Sequence, residues 1–151
     1  MRVYLDVSCL NRPFDEQRQV RIRLEAEAVL AVFQQMESGF WSHVSSEMAE
    51  IEIQAMPDND RRVRVALLLP EKSAIVRLAP AIWQRARALV RLGFKAADAV
   101  HLAAAELGQA GVFLTCDDRL LRRARRHHRK LQVQVANPLD VMKEIGDVED
   151  A

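Results

Sequence analysis

The sequence predicts a three-layer α/β protein with a mostly parallel central sheet. Three observations carry that reading. Short apolar runs of strand length, such as Val3-Tyr4-Leu5 and Val112-Phe113-Leu114, are bounded by polar or turn residues, the mark of strands buried on both faces. Segments with helical spacing of apolar residues separate them, the alternation expected of parallel strands joined by crossover helices. Two of the apolar runs lead into an aspartate, Asp6 and Asp117, at the strand carboxyl ends, where open α/β sheets bind ligands.

Each element follows from its own residues. After the first strand, Asn11-Arg12-Pro13 marks Ser8 to Asp15 as a loop. From Glu16 to about Ser38, Ile22, Ala26, Val29, Leu30, Phe33 and Met36 recur at helical spacing, and Gly39 supplies a stop. Phe40 to Val44 is a short strand. Ser45 or Ser46 can cap the next helix, which runs through Glu52 until Pro57-Asp58-Asn59 breaks it. Asp60 to Leu69 is helical and stops before Pro70. An extended piece at Ile75 to Leu78 precedes Pro80, a residue suited to the first turn of a helix through Leu92. Lys95 to Leu107 forms the next helix. Strand Val112–Leu114, a basic helix from Asp118 to His128, a strand at Gln132–Val135 and a helix from Pro138 to Ile145 complete the pattern. The expected organisation is a single domain over 1–146 with an acidic tail at 147–151.

Composition narrows the classes. The chain has 151 residues, long enough for one buried core, and is 50% hydrophobic and 28% charged, as soluble globular proteins are. No apolar run approaches the roughly 20 residues that cross a bilayer, and Asp6 comes too early for a secretory signal. Cys9 and Cys116 form no disulfide framework and lack metal-finger spacing, so they read as reduced thiols in a cytoplasmic protein. The five glycines are scattered, which argues against a phosphate-binding loop. Asp6-Val7-Ser8 also lacks the second acid of an aspartyl-phosphate motif.

A net charge of +1 conceals segregation. Arg119 to Lys130 contains no acid, while Asp15, Glu16, Glu25 and Glu27 gather early. A basic block near clustered carboxylates points to a polyanionic substrate, with Arg122, Arg123, Arg125 and Arg126 as contacts. Arg12, in the loop after the first strand, is a further candidate contact to that substrate. The bland reading of the block is a solvated helix face or a dock for an acidic protein.

Acids brought to one sheet edge repel one another unless a cation lies between them. Asp6, Asp98 (in the apolar stretch Ala96 to Ala103) and Asp117 therefore read as a divalent-metal site. Taken singly, each has an ordinary explanation as a turn residue, a helix N-terminal acid or a cap. His101 shares the helix face of Asp98 and reads as a structural histidine. His127 and His128 extend the basic run, and Trp41, Trp83 and Phe94 read as core.

In order along the chain stand Leu5-Asp6-Val7-Ser8 with Asn11-Arg12-Pro13-Phe14-Asp15, Ser45-Ser46-Glu47 leading to Glu52-Ile53, Ala97-Asp98-Ala99-Val100-His101-Leu102-Ala103, and Leu114-Thr115-Cys116-Asp117. Together these blocks, from Arg2 to Met142, resemble a PIN domain, a family whose small bacterial members include VapC-like toxins. The resemblance implies a PIN-like α/β fold and an endoribonuclease dependent on Mg²⁺ or Mn²⁺, with Asp6, Asp98 and Asp117 as the core metal-site acids. It makes Glu52 the second acid of the pattern, with Glu50 the alternative on the same helix, and it gives Ser8 and Thr115 supporting roles. It further implies an RNA substrate, a cognate antitoxin and a homodimer. Apolar residues of the early helices, Met48, Ile51, Met56 and Leu67 to Leu69, are the expected antitoxin surface. The rival readings are a non-catalytic RNA-binding module and a protein-interaction subunit.

Overall fold

The computed structural model describes the backbone of residues 1–150 and the side chains of residues 1–146, so the acidic tail expected at 147–151 lies outside the described side chains. The chain runs β1 (Arg2–Leu5), α1 (Val7–Asn11), a 3₁₀ turn at Arg12–Phe14, α2 (Val20–Glu37), β2 (Ser42–Ser46), α3 (Glu47–Gln54) and α4 (Asn59–Ala66). It continues β3 (Ile75–Val76), α5 (Pro80–Arg91), α6 (Ala96–Leu107), β4 (Val112–Leu114), α7 (Asp118–Arg126), β5 (Gln134–Ala136) and α8 (Met142–Asp150).

The sheet has five strands in the order β3-β2-β1-β4-β5. Every pairing is parallel, with Leu5 opposite Leu114 and Tyr4 opposite Val44. Because all strands point the same way, their carboxyl ends meet at one edge, and β1 lies at its centre. Side chains alternate across the sheet. Val3, Leu5, Val112 and Leu114 pack against α1, α2, α3 and α4 on one face. Tyr4 and Phe113 pack against α5, α6 and α7 on the other, their rings stacked 5.1 Å apart. The three-layer α/β expectation is thus met.

Three local expectations change. The predicted loop at 8–15 is instead helix α1 followed by a 3₁₀ turn, because the Asp6 carbonyl accepts from the Cys9 and Leu10 amides and winds the chain at once. Pro13 is compatible with that turn, since an early turn position needs no N–H. Helix α2 starts at Val20 rather than Glu16, because Gln17 donates to the carbonyls of Arg12 and Asp15 and folds the segment back. Strand β2 is shifted to Ser42–Ser46, ending on the residue that caps α3: the Ser46 hydroxyl accepts from the Ala49 amide at 3.2 Å, an interaction worth about 1 kcal/mol. Of the aromatics expected in the core, Trp41 and Phe94 are buried but Trp83 is 44% exposed. No helix among the described residues is long and apolar enough to cross a membrane.

Candidate active site

Asp6 sits directly beyond β1. Its amide donates to the Leu114 carbonyl at 2.9 Å, which locks the end of β1 to β4 and aims the side chain over the sheet edge. The carboxylate is nearly buried, and its Oδ2 accepts from Ser8 Oγ at 2.9 Å and Thr115 Oγ1 at 2.7 Å. Each hydroxyl also serves the opposite segment. Ser8 Oγ accepts from the Cys116 amide and Thr115 Oγ1 from the Asp117 amide, both at 3.1 Å. Ser8 and Thr115 therefore fasten the first acid to the backbone that carries the last one.

Asp117 is the N-cap of α7, with Oδ1 accepting from the amides of Arg119 (2.9 Å) and Leu120 (3.3 Å). Its neighbour Asp118 turns outward into a two-pronged pair with Arg21 at 2.8 and 2.6 Å, tying α7 to α2. Asp98 lies in the first turn of α6, at the mouth of a cavity of about 170 Å³ that Asp117 also lines. Burial, with the charges of Asp6 and Asp117, pushes the Asp98 carboxyl up to about 6. Lys95 and His101 pull the other way but do not prevail. The three aspartates, from three separate elements, thus share one electrostatic environment.

Glu52 comes from α3. Its Oε1 meets His101 Nε2 at 2.9 Å, next to the acid cluster, while Glu50 faces a different cavity with Lys72 and Arg77. Glu47 is spent on accepting the Leu78 amide. His101 is buried between Glu52 and the Tyr4 hydroxyl (2.6 Å from Nδ1). Burial lowers its pKa, but the Glu52 hydrogen bond and the charges of Asp6, Glu52 and Asp98 outweigh that and leave it raised.

The basic residues divide. Arg119 and Arg123, with Lys95, line the cavity that holds Asp98 and Asp117. Arg123 lies over Gly93, where a Cβ would collide with its guanidinium and where φ is +104°. Arg122 and Arg125 line a neighbouring cavity with Arg21, and Arg126 is exposed. Arg12 turns inward to Glu25 and Asp15, each at 3.0 Å. Lys95, Arg119 and Tyr4 escape a reading based on sequence spacing. Only the basic run containing Arg119 gave a signal.

Among the described residues, no three His, Cys, Asp or Glu side chains converge tightly enough to enclose an ion. The donor chemistry nevertheless fits a hard divalent cation: Asp6, Asp98 and Asp117 offer only oxygen, and a cation would offset both the burial and the repulsion that push Asp98 up.

An all-parallel sheet carrying carboxylates at its central carboxyl edge defines a class of α/β protein, and comparison with known proteins places the chain within it. The PIN domain model matches residues 3–126, and the chain belongs to that family. No curated protein matches it in sequence. Solved structures share the fold at low identity. FitAcB from Neisseria gonorrhoeae aligns at a TM-score of 0.60 and 15% identity, covering 91% of this chain and 98% of that one. VapBC2 from Rickettsia felis, solved on a DNA fragment from their promoter, aligns at 0.54 and 11%, covering 91% and 98%.

Proposed function

We propose that the protein is a divalent-metal-dependent endoribonuclease, the toxin of a toxin–antitoxin pair. The observation that carries this reading is the joint placement of Asp6, Asp98 and Asp117 near the sheet edge, with Asp98 pushed up to about 6 by burial and then by the charges of the other two. Asp6, Asp98 and Asp117 would hold Mg²⁺ or Mn²⁺, with Glu52 as the fourth acid. When bound, such an ion supplies Lewis acidity at a phosphodiester and neutralises charge on the leaving oxygen.

The remaining work belongs to side chains of this protein. Lys95, Arg119 and Arg123 pair with RNA phosphates and bring the chain to the carboxylates. Arg122, Arg125 and Arg126 extend that contact along the exposed side of α7. Ser8 and Thr115 hold the Asp6 carboxylate in one orientation by donating to a single oxygen. Ile51, Val63 and Leu67 are more than half exposed on α3, on α4 and at its end, and supply the apolar surface for a cognate antitoxin. A cavity of about 410 Å³ beside Trp83 and Val90 suits the homodimer contact. The protein acts in the cytoplasm, where its RNA substrate is found.

Cleavage of a pooled, structured RNA by wild type and Asp6→Asn, with Mg²⁺, Mn²⁺ or chelator, tests the reading. Metal-dependent cutting that Asp6→Asn loses supports it. RNA binding without cutting under any metal moves the non-catalytic module ahead, a rival favoured by the lack, among the described residues, of a converged donor trio.

A further inference from the structure

A chain of hydrogen bonds runs behind the acids. Ser46 Oγ lies 2.6 Å from the Tyr4 hydroxyl, which lies 2.6 Å from His101 Nδ1, and His101 Nε2 lies 2.9 Å from Glu52 Oε1. Tyr4, Ser46 and His101 are each at most 1% exposed, so no solvent competes for the bonds among them, while the Glu52 side chain at the end of the line is 31% exposed.

The chemistry of the groups gives the chain a direction. An ionised carboxylate only accepts, so Nε2–H of His101 donates to Glu52. With a neutral ring, Nδ1 carries a lone pair and accepts from the Tyr4 hydroxyl. With a protonated ring, Nδ1–H donates to the Tyr4 oxygen and the Tyr4 hydroxyl donates to Ser46 Oγ, so the line stays connected in both states. In the neutral-ring state the Tyr4 oxygen accepts from Ser46, and in either state Ser46 Oγ accepts from the Ala49 amide at 3.2 Å. With the neutral ring each hydroxyl in the line donates once, and no buried polar atom in it is left over.

The placement has a second property. Tyr4 is two residues before Asp6 on β1, His101 is one helical turn beyond Asp98 on α6, and Ser46 caps the helix that carries Glu52. The chain thus couples three of the acid-bearing elements through side chains that are not themselves acids. Buried, fully connected polar networks fix geometry because a half-made one is costly.

We infer that Tyr4 and His101 are positioning residues for Glu52, holding its carboxylate in a single orientation beside the aspartates through the Ser46–Tyr4–His101–Glu52 hydrogen-bond chain. The inference rests on the proposed nuclease reading, and it extends that reading to residues that meet neither metal nor RNA.

The test is a double-mutant cycle of Tyr4→Phe and Glu52→Gln, read by RNA cleavage and, separately, by Mn²⁺ affinity in a direct titration. Tyr4→Phe removes one hydroxyl and keeps the ring stacked on Phe113. It is expected to lower kcat by about 10- to 100-fold and to weaken Mn²⁺ binding about 10-fold, the range for residues that orient metal-site ligands, with KM for RNA within about twofold. Combined with Glu52→Gln it is expected to add less than about twofold to either loss, since the group it positions is already gone. An equal loss in both backgrounds, or no loss in wild type, overturns the inference. If wild type cuts no RNA, the nuclease reading falls, and the Mn²⁺ cycle still decides for or against positioning. Should Tyr4→Phe fail to fold, His101→Gln, which keeps an N–H donor, is expected to stay within about threefold of wild type while His101→Leu is not. Equal losses in those two overturn it as well.

Discussion

Arg12 donates its Nε–H to Glu25 at 3.0 Å, and the Glu25 side chain is wholly buried. Asn137 completes the arrangement, donating to the other carboxylate oxygen at 2.5 Å from just beyond β5. A conspicuous arginine in the first loop is thereby joined to the core of α2. Arg12→Ala leaves a buried carboxylate with a weaker set of partners and is expected to cost about 2–3 kcal/mol in urea unfolding. RNA affinity of the folded fraction should not change. A loss of affinity with unchanged stability would assign Arg12 to RNA instead.

Asp98→Asn should abolish cleavage and yet stabilise the metal-free protein. The folded carboxyl titrates at about 6, above its ordinary value. An acid raised in this way favours the native state most while it is still protonated, and that benefit is lost as pH climbs through about 6. Asparagine never ionises. The melting temperature of Asp98→Asn should therefore exceed that of wild type at pH 7.5 and converge with it near pH 4. Convergence at high pH instead would refute the shared environment of the three aspartates. Mn²⁺ should raise the melting temperature of wild type and leave that of Asp98→Asn nearly unmoved.

Arg119 and Arg123 predict a salt signature. If both meet phosphates, the slope of log affinity for single-stranded RNA against log salt should fall by about 1.4 in the double alanine variant, from about 0.7 per phosphate. An unchanged slope would leave them as helix-surface charges. Gly93→Ala probes the same feature through the backbone. Its positive φ and the guanidinium above it imply a loss of about 1 kcal/mol or more in stability, with Arg123 displaced.

Arg85 and Glu106 make a purely structural prediction. The Glu106 carboxylate accepts from Arg85 Nε at 2.6 Å and Nη2 at 3.1 Å and from the Gln132 amide at 2.6 Å. Arg85→Ala should lower stability by about 3 kcal/mol, because the glutamate remains buried with its charge unmatched. RNA cleavage per folded molecule should stay as it was.

What the sequence made legible is local. Strand β4, helix α6 and the order of the acids stand in runs of three to twelve residues, where apolar spacing and turn residues suffice. Helix α1 was hidden by Asn11-Arg12-Pro13, a turn signature that proved compatible with a winding started by the Asp6 carbonyl. The Tyr4–His101 and Arg12–Glu25 bonds join residues whose spacing carries no pattern, so only packing discloses them. Glu52 could be preferred over Glu50 from the Ile53 that follows it and its distance from Ser46. Only the position of α6 shows what each carboxylate meets, since residues two apart on a helix cannot share a face. Trp83 was misjudged for a related reason: it lies on an amphipathic helix between the buried Ile82 and the polar Gln84 and Arg85, and its burial depends on what covers that flank.

The bond between Asp6 and Thr115 spans 109 residues of chain. During synthesis the first acid leaves the ribosome almost at once, but the hydroxyl that orients it, and the aspartate two residues further on, emerge only when most of the polypeptide is made. Strand β1 likewise waits for β4 before its second edge is paired. A chain that ends before residue 115 lacks both the hydroxyl that orients Asp6 and the aspartate that completes the trio, and cannot assemble the cluster. Under the proposed ribonuclease reading, this order of assembly would spare the message and the ribosome that are producing the chain until translation is nearly complete.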